Sequence, residues 1–522
     1  MKRVGLTILS ALLAFLARHF CALGFLMWFA LVPLFYAVSD RKYAVRLSGL
    51  FGFIYYGLTI SWMFSIRDLP EFGLSGPTGF LFAFFCWLGL SIYGAVGYMA
   101  LFYWLCRRKS RMLSPLVAAC GFMLLEGVQG WGDSALAFPW CSLAYSQSGA
   151  VVQSAGLFGS VFITFLIVFV NAALSLALQT KRGRVLLPAG VLLVANLLFG
   201  VVMLHNMPPG EQVSVSVVQN NVSSDEKWKN IETLFNLISL KDRAQGDLIV
   251  FSETVYPSVL SQETAERLGK ENASVMVGAL SQTASGEKSV AIHTIENGKI
   301  TATSYKMHLI PLGEYMPPGF GFLSDHLGLM GFAPGESVLL HGENNRKICS
   351  LICFDSCFSS FAREGVQKGA SLLAVSTNDS WFDGSAEVSE HLRISVFRAI
   401  EQGKYLVHAS TTGVTAIADP RGRVIARLPV GEEGILEGTV RYIKTRTLYS
   451  YIGELPLIVC LIILIVWKGR DKYAVSRCSF VVGYGQHAFG FTKKYFEGKP
   501  RGDSKILRCR RPICHRYGTN SL

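Results

Sequence analysis

The chain has 522 residues, 51% of them hydrophobic and only 16% charged, where a soluble domain of ordinary composition carries about 25% charged residues. The formal net charge is +13, but residues 468–522 hold 13 Lys/Arg against 3 Asp/Glu, so +10 of it belongs to the tail and the body is near neutral; no nucleic-acid partner is indicated. A disulfide framework is not indicated either, because the 12 cysteines include no Cys-x-x-Cys and fall five in the apolar N-terminal region, three within 349–357, one at 460 and three in the tail.

A helix needs about 20 apolar residues to span a bilayer. Candidate spans run over 4–17, 20–38, 47–66, 79–105, 112–130, 152–178, 185–204 and 448–467. Positive clusters occur at Lys2-Arg3, Arg41-Lys42-Arg46, Arg107-Arg108-Lys109-Arg111, Lys181-Arg182-Arg184 and Lys468-Arg470-Lys472. With eight spans all five clusters fall on one side, which the positive-inside rule makes the cytoplasm. Both termini are then cytoplasmic, and 207–447 forms an extracytoplasmic domain between a seven-span region (1–206) and an eighth helix (448–467). No small-residue cleavage pattern follows the first run. The loop from Gly130 to Gly149 falls on the outer side, with Trp131 and Trp140 as expected interface anchors. Glu126, near the end of the fifth span, is an intramembrane carboxyl and so a functional candidate. The basic tail, 468–522, is expected to face anionic headgroups.

Residues 207–447 alternate strand and helix patterns. Strands are expected at Val213–Gln219, Asp247–Ser252, Ala273–Leu280, Lys347–Ile352 and Ser371–Ser376. Helices are expected at Asp225–Asp242, Ser261–Leu268, Phe358–Lys368 and Glu387–Gln402. Hairpins are expected over Val290–Lys306, turning at Asn297-Gly298, and over Leu406–Leu428, turning at Asp419–Gly422. This is the order of an α/β domain with a covered sheet.

Catalytic groups in such a domain gather at the carboxyl ends of strands. Three ends carry reactive side chains: Glu253 after one strand, Lys306 after the first hairpin, and Cys353 after the apolar run Ile348–Ile352. A thiol nucleophile, a lysine that stabilises anions beside it, and a carboxylate that takes and returns the proton form a coherent acyl-transfer set. Glu253, Lys306 and Cys353 lie 53 and 47 residues apart, so only a fold can join them. His308 is a rival base and Cys357 a rival thiol. The apolar residues of 311–335, among them Leu312, Met316, Phe320, Phe322, Leu327 and Met330, are expected to form a lipid-facing lid.

The Glu–Lys–Cys order, together with Tyr305-Lys-Met-His-Leu-Ile-Pro-Leu-Gly-Glu-Tyr-Met-Pro317 and Leu351-Ile-Cys-Phe-Asp355, resembles the nitrilase (carbon–nitrogen hydrolase) superfamily. The apolar spans, Ala137-Phe-Pro-Trp140, Asn378-Asp-Ser-Trp-Phe382 and Gly313-Glu-Tyr-Met-Pro317 narrow the likeness to the apolipoprotein N-acyltransferase family. The resemblance implies a polytopic α-helical membrane domain carrying an α/β nitrilase-like αββα sandwich, in the bacterial inner membrane with the catalytic domain on the periplasmic side. It implies a phospholipid acyl donor, a thioester on Cys353, and the α-amino group of a diacylglyceryl-cysteine on an apolipoprotein as acceptor. Glu253 matches the family's base, Lys306 its oxyanion lysine, Glu314 a second essential carboxylate and Trp228 an aromatic of substrate handling. Phe354 and Asp355 stand, as supporting or substrate-binding residues, where the family often has Tyr-Glu. No metal or cofactor is expected, since Cys509, Cys514 and His515 do not supply four ligands at standard spacing. The alternative is a membrane-tethered amidase acting on a small amide, which would share the triad.

Overall fold

The computed structural model describes residues 1–69, 73–106, 114–132, 134, 137–222, 232–283, 285–321 and 331–468. Trp228, the middle of the 311–335 loop and the tail beyond Lys468 lie outside these residues. Residues Met1–Lys468 form one compact unit.

Two sheets make the catalytic half. The first contains β1 (Glu211–Gln219), β2 (Leu248–Val250), β3 (Tyr256–Val259), β4 (Ser274–Gln282), β5 (Lys288–Glu296), β6 (Lys299–Tyr305) and β13 (Gly434–Tyr442). Its order is β13-β1-β2-β4-β5-β6, with β3 pairing β4. The second contains β7 (Leu340–His341), β8 (Ile348–Ile352), β9 (Leu372–Thr377), β10 (Leu406–Ser410), β11 (Ala416–Ala418) and β12 (Val424–Arg427), in the order β12-β11-β10-β9-β8-β7. Strands β1, β2 and β4 run parallel, as do β8, β9 and β10.

Strand parity separates the layers, because successive side chains point to opposite faces. Val215, Val217, Val250 and Met276 meet Ile348, Ile352, Leu372 and Val407 between the sheets. Val218, Ile249, Phe251, Val275 and Val277 point the other way, onto Leu237, Leu240 and Leu268 of helices Glu232–Arg243 and Gln262–Leu268. Cys349, Leu351, Leu373 and Val375 point away from the second sheet, into the cluster with Phe361, Val366 and Phe397 of helices Ser359–Gln367 and Glu387–Gln402. The layers are therefore α, β, β and α.

The N-terminal region is helical and apolar. Among the described residues, three helices are long and apolar enough to cross a membrane: Gly76–Cys106, Val161–Thr180 and Gly183–His205. The pair Lys42–Thr59 and Ser61–Arg67, bent by 49°, makes up to four. The third long helix leaves Leu187, Val191, Val194, Leu198 and Val202 exposed on its outside, the surface a lipid-facing helix presents. Several expected spans are interrupted. Span 20–38 becomes three short helices between Cys21 and Ala37, with Pro33 near the start of the last. Span 152–178 is interrupted at Gly159, whose φ is 81°. Span 448–467 breaks at Gly453, φ 51°, and resumes as Leu455–Lys468.

This helical region grips the catalytic half through buried polar groups. Trp140 is buried, where an interface anchor would be exposed, and its Nε1–H donates to Glu390 Oε2 at 2.9 Å. Arg18 reaches the same carboxylate at 3.4 Å and donates to the Trp140 carbonyl at 3.2 Å. Glu401 accepts from Ser160 N at 2.8 Å and pairs with Arg398 at 3.0 Å. Glu126 has a structural occupation. It accepts from Ser142 Oγ at 2.6 Å, Leu143 N at 2.9 Å and Thr164 Oγ1 at 2.5 Å, fixing the turns that lead from Trp140.

Candidate active site

Three separate strand ends deliver the site. Glu253 follows β2 beside Thr254, whose φ is 46°. Lys306 follows β6 and still donates its backbone N–H to Val290 of β5 at 2.9 Å. The two side chains meet: Lys306 Nζ lies 2.9 Å from Glu253 Oε1 and 2.5 Å from Glu314 Oε1. Each carboxylate has a second tether. Asn378 N–H donates to Glu253 Oε2 at 3.0 Å, and Ile310 N–H donates to Glu314 Oε2 at 2.8 Å. All three charged side chains are buried, Lys306 with 1% of its surface open.

Burial opposes the charge on Lys306, but the facing Glu253 and Glu314 carboxylates outweigh it and hold its pKa well above the ordinary lysine value. Burial and the neighbouring Glu253 lift Glu314, against the pull of Lys306. Removing one partner of such a group strands a buried charge, so the cluster holds together as a unit.

Cys353 opens a short 3₁₀ helix, Cys353–Cys357, directly after β8. Its φ of 51° is left-handed, a conformation that costs an L-residue about 1–2 kcal/mol. The turn is therefore held by its surroundings, and the residue is half-buried. Loss of hydration and then Glu253 push the thiol pKa well up, with Lys306 pulling it down. Cys353 thus rests as a thiol, and of the two buried carboxylates Glu253 acts on it more strongly than Glu314.

Asp355 touches backbone. It accepts from His308 N at 2.8 Å, Met307 N at 3.1 Å and Ile352 N at 3.3 Å. It therefore clamps the residues after Lys306 to the residue before Cys353, a supporting task. Burial pushes its pKa up to about 7, against the backbone donors and Lys306. Phe354 packs against Phe138, His308 and Phe358.

The rivals are placed elsewhere. His308 directs Nδ1 to the Gly132 carbonyl at 2.7 Å. Cys357 is buried, its carbonyl held by Arg398 at 3.1 Å. Trp228 lies outside the described residues. Sequence reasoning gave no role to Asn378, which tethers Glu253, nor to Asp379 and His391 behind Cys353. The signal was present in Asn378-Asp-Ser-Trp-Phe382, quoted above only as part of a resemblance.

An αββα sandwich whose sheet ends bring together Cys, Glu and Lys defines a carbon–nitrogen hydrolase domain, and the "Carbon-nitrogen hydrolase" family matches residues 214–448. Residues 10–173 match the "Apolipoprotein N-acyltransferase N-terminal domain". The apolipoprotein N-acyltransferase of Gloeobacter violaceus is 28% identical over 480 residues, covering 86% of this chain and 90% of that protein. That of Geobacter metallireducens is 28% identical over 493 residues, covering 87% and 92%, and that of Methylococcus capsulatus 29% over 483 residues, covering 83% and 92%. Among solved structures, Saccharomyces cerevisiae Nit3, of the nitrilase superfamily, aligns at 17% identity and TM-score 0.36, over 48% of this chain and 97% of that one. Both halves of the chain are thus similar to those of apolipoprotein N-acyltransferases.

Proposed function

We propose that this enzyme moves an acyl chain from a phospholipid, through a thioester on Cys353, to the α-amino group of the diacylglyceryl-cysteine that begins an apolipoprotein. The observation that carries the reading is the buried Glu253–Lys306–Glu314 group beside a thiol at a strand end, in a domain gripped by apolar helices.

In the first half-reaction the Cys353 sulfur attacks the ester carbonyl while Glu253 takes the thiol proton. The oxyanion forms beside Lys306. Collapse breaks the acyl C–O bond, and the leaving glycerol oxygen takes the proton from Glu253, giving a thioester and a lysophospholipid. In the second, the neutral amine attacks the thioester carbonyl and passes a proton to Glu253. Collapse breaks the C–S bond, and the sulfur regains the proton as the amide leaves. Splitting the transfer in two suits the chemistry, because a thioester is a good donor to an amine. Glu314 holds Lys306 beside Glu253 through both steps.

The charge pattern supports eight spans with both termini in the cytoplasm and the catalytic domain on the outer face of the bacterial inner membrane. Trp228 and the apolar 311–335 loop are the segments we assign to substrate handling and to lipid access. The test is acyl transfer from phospholipid to a diacylated lipopeptide, with Cys353→Ala as the control. N-acylation by the wild type and its loss in the variant are expected. Unchanged acylation in Cys353→Ala would remove the mechanism, and turnover of soluble amides without lipopeptide acylation would make the chain an amidase.

A further inference from the structure

Behind Cys353, on the side away from Glu253 and Lys306, lies a second buried polar row that the two half-reactions do not use. His391, on helix Glu387–Gln402, places Nδ1 3.0 Å from Asp379 Oδ1. Its Nε2 lies 2.9 Å from Ser356 Oγ and 3.2 Å from the Cys353 carbonyl oxygen. Ser356, Asp379 and His391 are each at most 1% exposed, so the row meets no substrate.

The partners constrain where the ring's hydrogens point. The Cys353 carbonyl can only accept, so its contact with Nε2 is favourable only when Nε2 carries hydrogen. Ser395 Oγ donates to Ser356 Oγ, which leaves a lone pair there for the same N–H. Asp379 Oδ1 accepts from Thr377 Oγ1 at 2.7 Å and its Oδ2 from Ser410 Oγ at 2.9 Å. Nδ1 therefore also faces an acceptor. With Nε2–H on the Cys353 carbonyl, both ring nitrogens donate, and Asp379 is the anion beside the ring.

The other groups around the ring agree. Glu387, on the same helix, has Oε1 4.0 Å from Nδ1 and Oε2 without a hydrogen-bond partner among the described residues. Burial and then Asp379 raise its pKa well above the carboxylate range, leaving Asp379 as the counter-ion. His408 of β10 stacks its edge 5.5 Å from the ring and is pushed down to about 4 by burial and by His391. The platform's Trp140 covers a further side at 5.9 Å. Asp379, Glu387 and His391 also have donor atoms within 4.8 Å of one another, the spacing of a metal site. Both Asp379 oxygens already accept hydrogen bonds, which favours the ring N–H over a cation.

We propose that His391, oriented by Asp379, is a positioning residue for the nucleophile: its Nε2–H holds the Cys353 carbonyl, and with it the left-handed backbone that presents the thiol to Glu253 and Lys306. The inference rests on Cys353 being the nucleophile. It also links the membrane platform to the chemistry, since Glu390, gripped by Trp140 and Arg18, precedes His391 in the chain.

The test uses the full-length enzyme in detergent with phospholipid, following single-turnover acylation of Cys353 by mass spectrometry. His391→Leu removes the donor, and one hydrogen bond involving a charged group lost from the nucleophile's backbone slows acylation about 10- to 100-fold, with the KM for phospholipid within about 3-fold. His391→Gln, whose amide reaches the Nε2 position, recovers most of the rate. Asp379→Asn keeps the shape but lets the ring lose its second proton, and slows acylation about 10-fold; it carries the test should His391→Leu not fold. A rate within about 3-fold of wild type in folded His391→Leu, or in Asp379→Asn, overturns the proposal. So does one equivalent of metal whose removal abolishes acylation, because Nδ1 would then be a ligand. If Cys353 is not the nucleophile, the wild type itself forms no thioester there, which separates the two failures.

Discussion

Asp355→Asn probes how the site is held without touching a reacting atom. The carboxylate accepts three backbone N–H groups, at 2.8, 3.1 and 3.3 Å, two of them on residues directly after Lys306. An amide has one acceptor oxygen. In its better orientation it keeps Met307 and Ile352 and turns its NH₂ against the His308 N–H. One bond to a charged acceptor is lost, about 1.5–3 kcal/mol, and relief from burying a charge offsets part of this. The larger effect is expected on rate, because Lys306 loses its downstream anchor and a misplacement of about 1 Å costs on the order of 100-fold. The assay is steady-state acylation of a diacylated lipopeptide beside thermal unfolding in detergent. A kcat within about 3-fold of wild type would refute the clamp. The pH dependence has a definite sign. The folded pKa, about 7, is above the ordinary 3.8, so the fold favours the protonated form. Wild type therefore loses stability relative to Asp355→Asn as pH rises from about 4 to about 7.

Lys306→Met leaves Glu253 and Glu314 facing each other without their shared cation; a loss of about 3–5 kcal/mol in stability and no detectable thioester are expected, and a stable, active variant would contradict the charge arrangement. Iodoacetamide labelling of Cys353, read peptide by peptide, should keep rising through pH 9, because the thiol pKa is pushed well up; a plateau below pH 8 would show a thiolate at rest. Trp140→Phe removes the donor to Glu390 and should lower stability by about 1.5–3 kcal/mol, whereas an unchanged melting temperature would return Trp140 to the role of an interface anchor.

The grouping of Glu253 and Lys306 with Cys353 was legible because each follows a strand, and strand ends converge in a sheet whatever lies between them. Parity did the rest, assigning Cys349 to the helix-facing side and leaving Cys353 at the turn. Strand Gly434–Tyr442 was not legible. It lies at the edge of the first sheet, and its half-exposed residues give no clear apolar face. Tyr256–Val259 contains Pro257 and pairs with β4 only through an irregular register. Hydropathy showed apolar runs but not the breaks at Gly159 and Gly453, which are backbone events. Trp140 looked like an interface anchor because its partner, Glu390, lies 250 positions away. Asp379 and His391 escaped for the same reason: what they do depends on a carbonyl of another element.

The central claim is that Cys353 carries the acyl chain. Purified enzyme incubated with phospholipid and no acceptor should gain the mass of one acyl group on the peptide containing Cys353. That mass should disappear with hydroxylamine, or on addition of diacylated lipopeptide as the N-acylated product forms. Formation of N-acylated lipopeptide with no acyl group ever found on Cys353, or its formation by Cys353→Ala, would contradict the account.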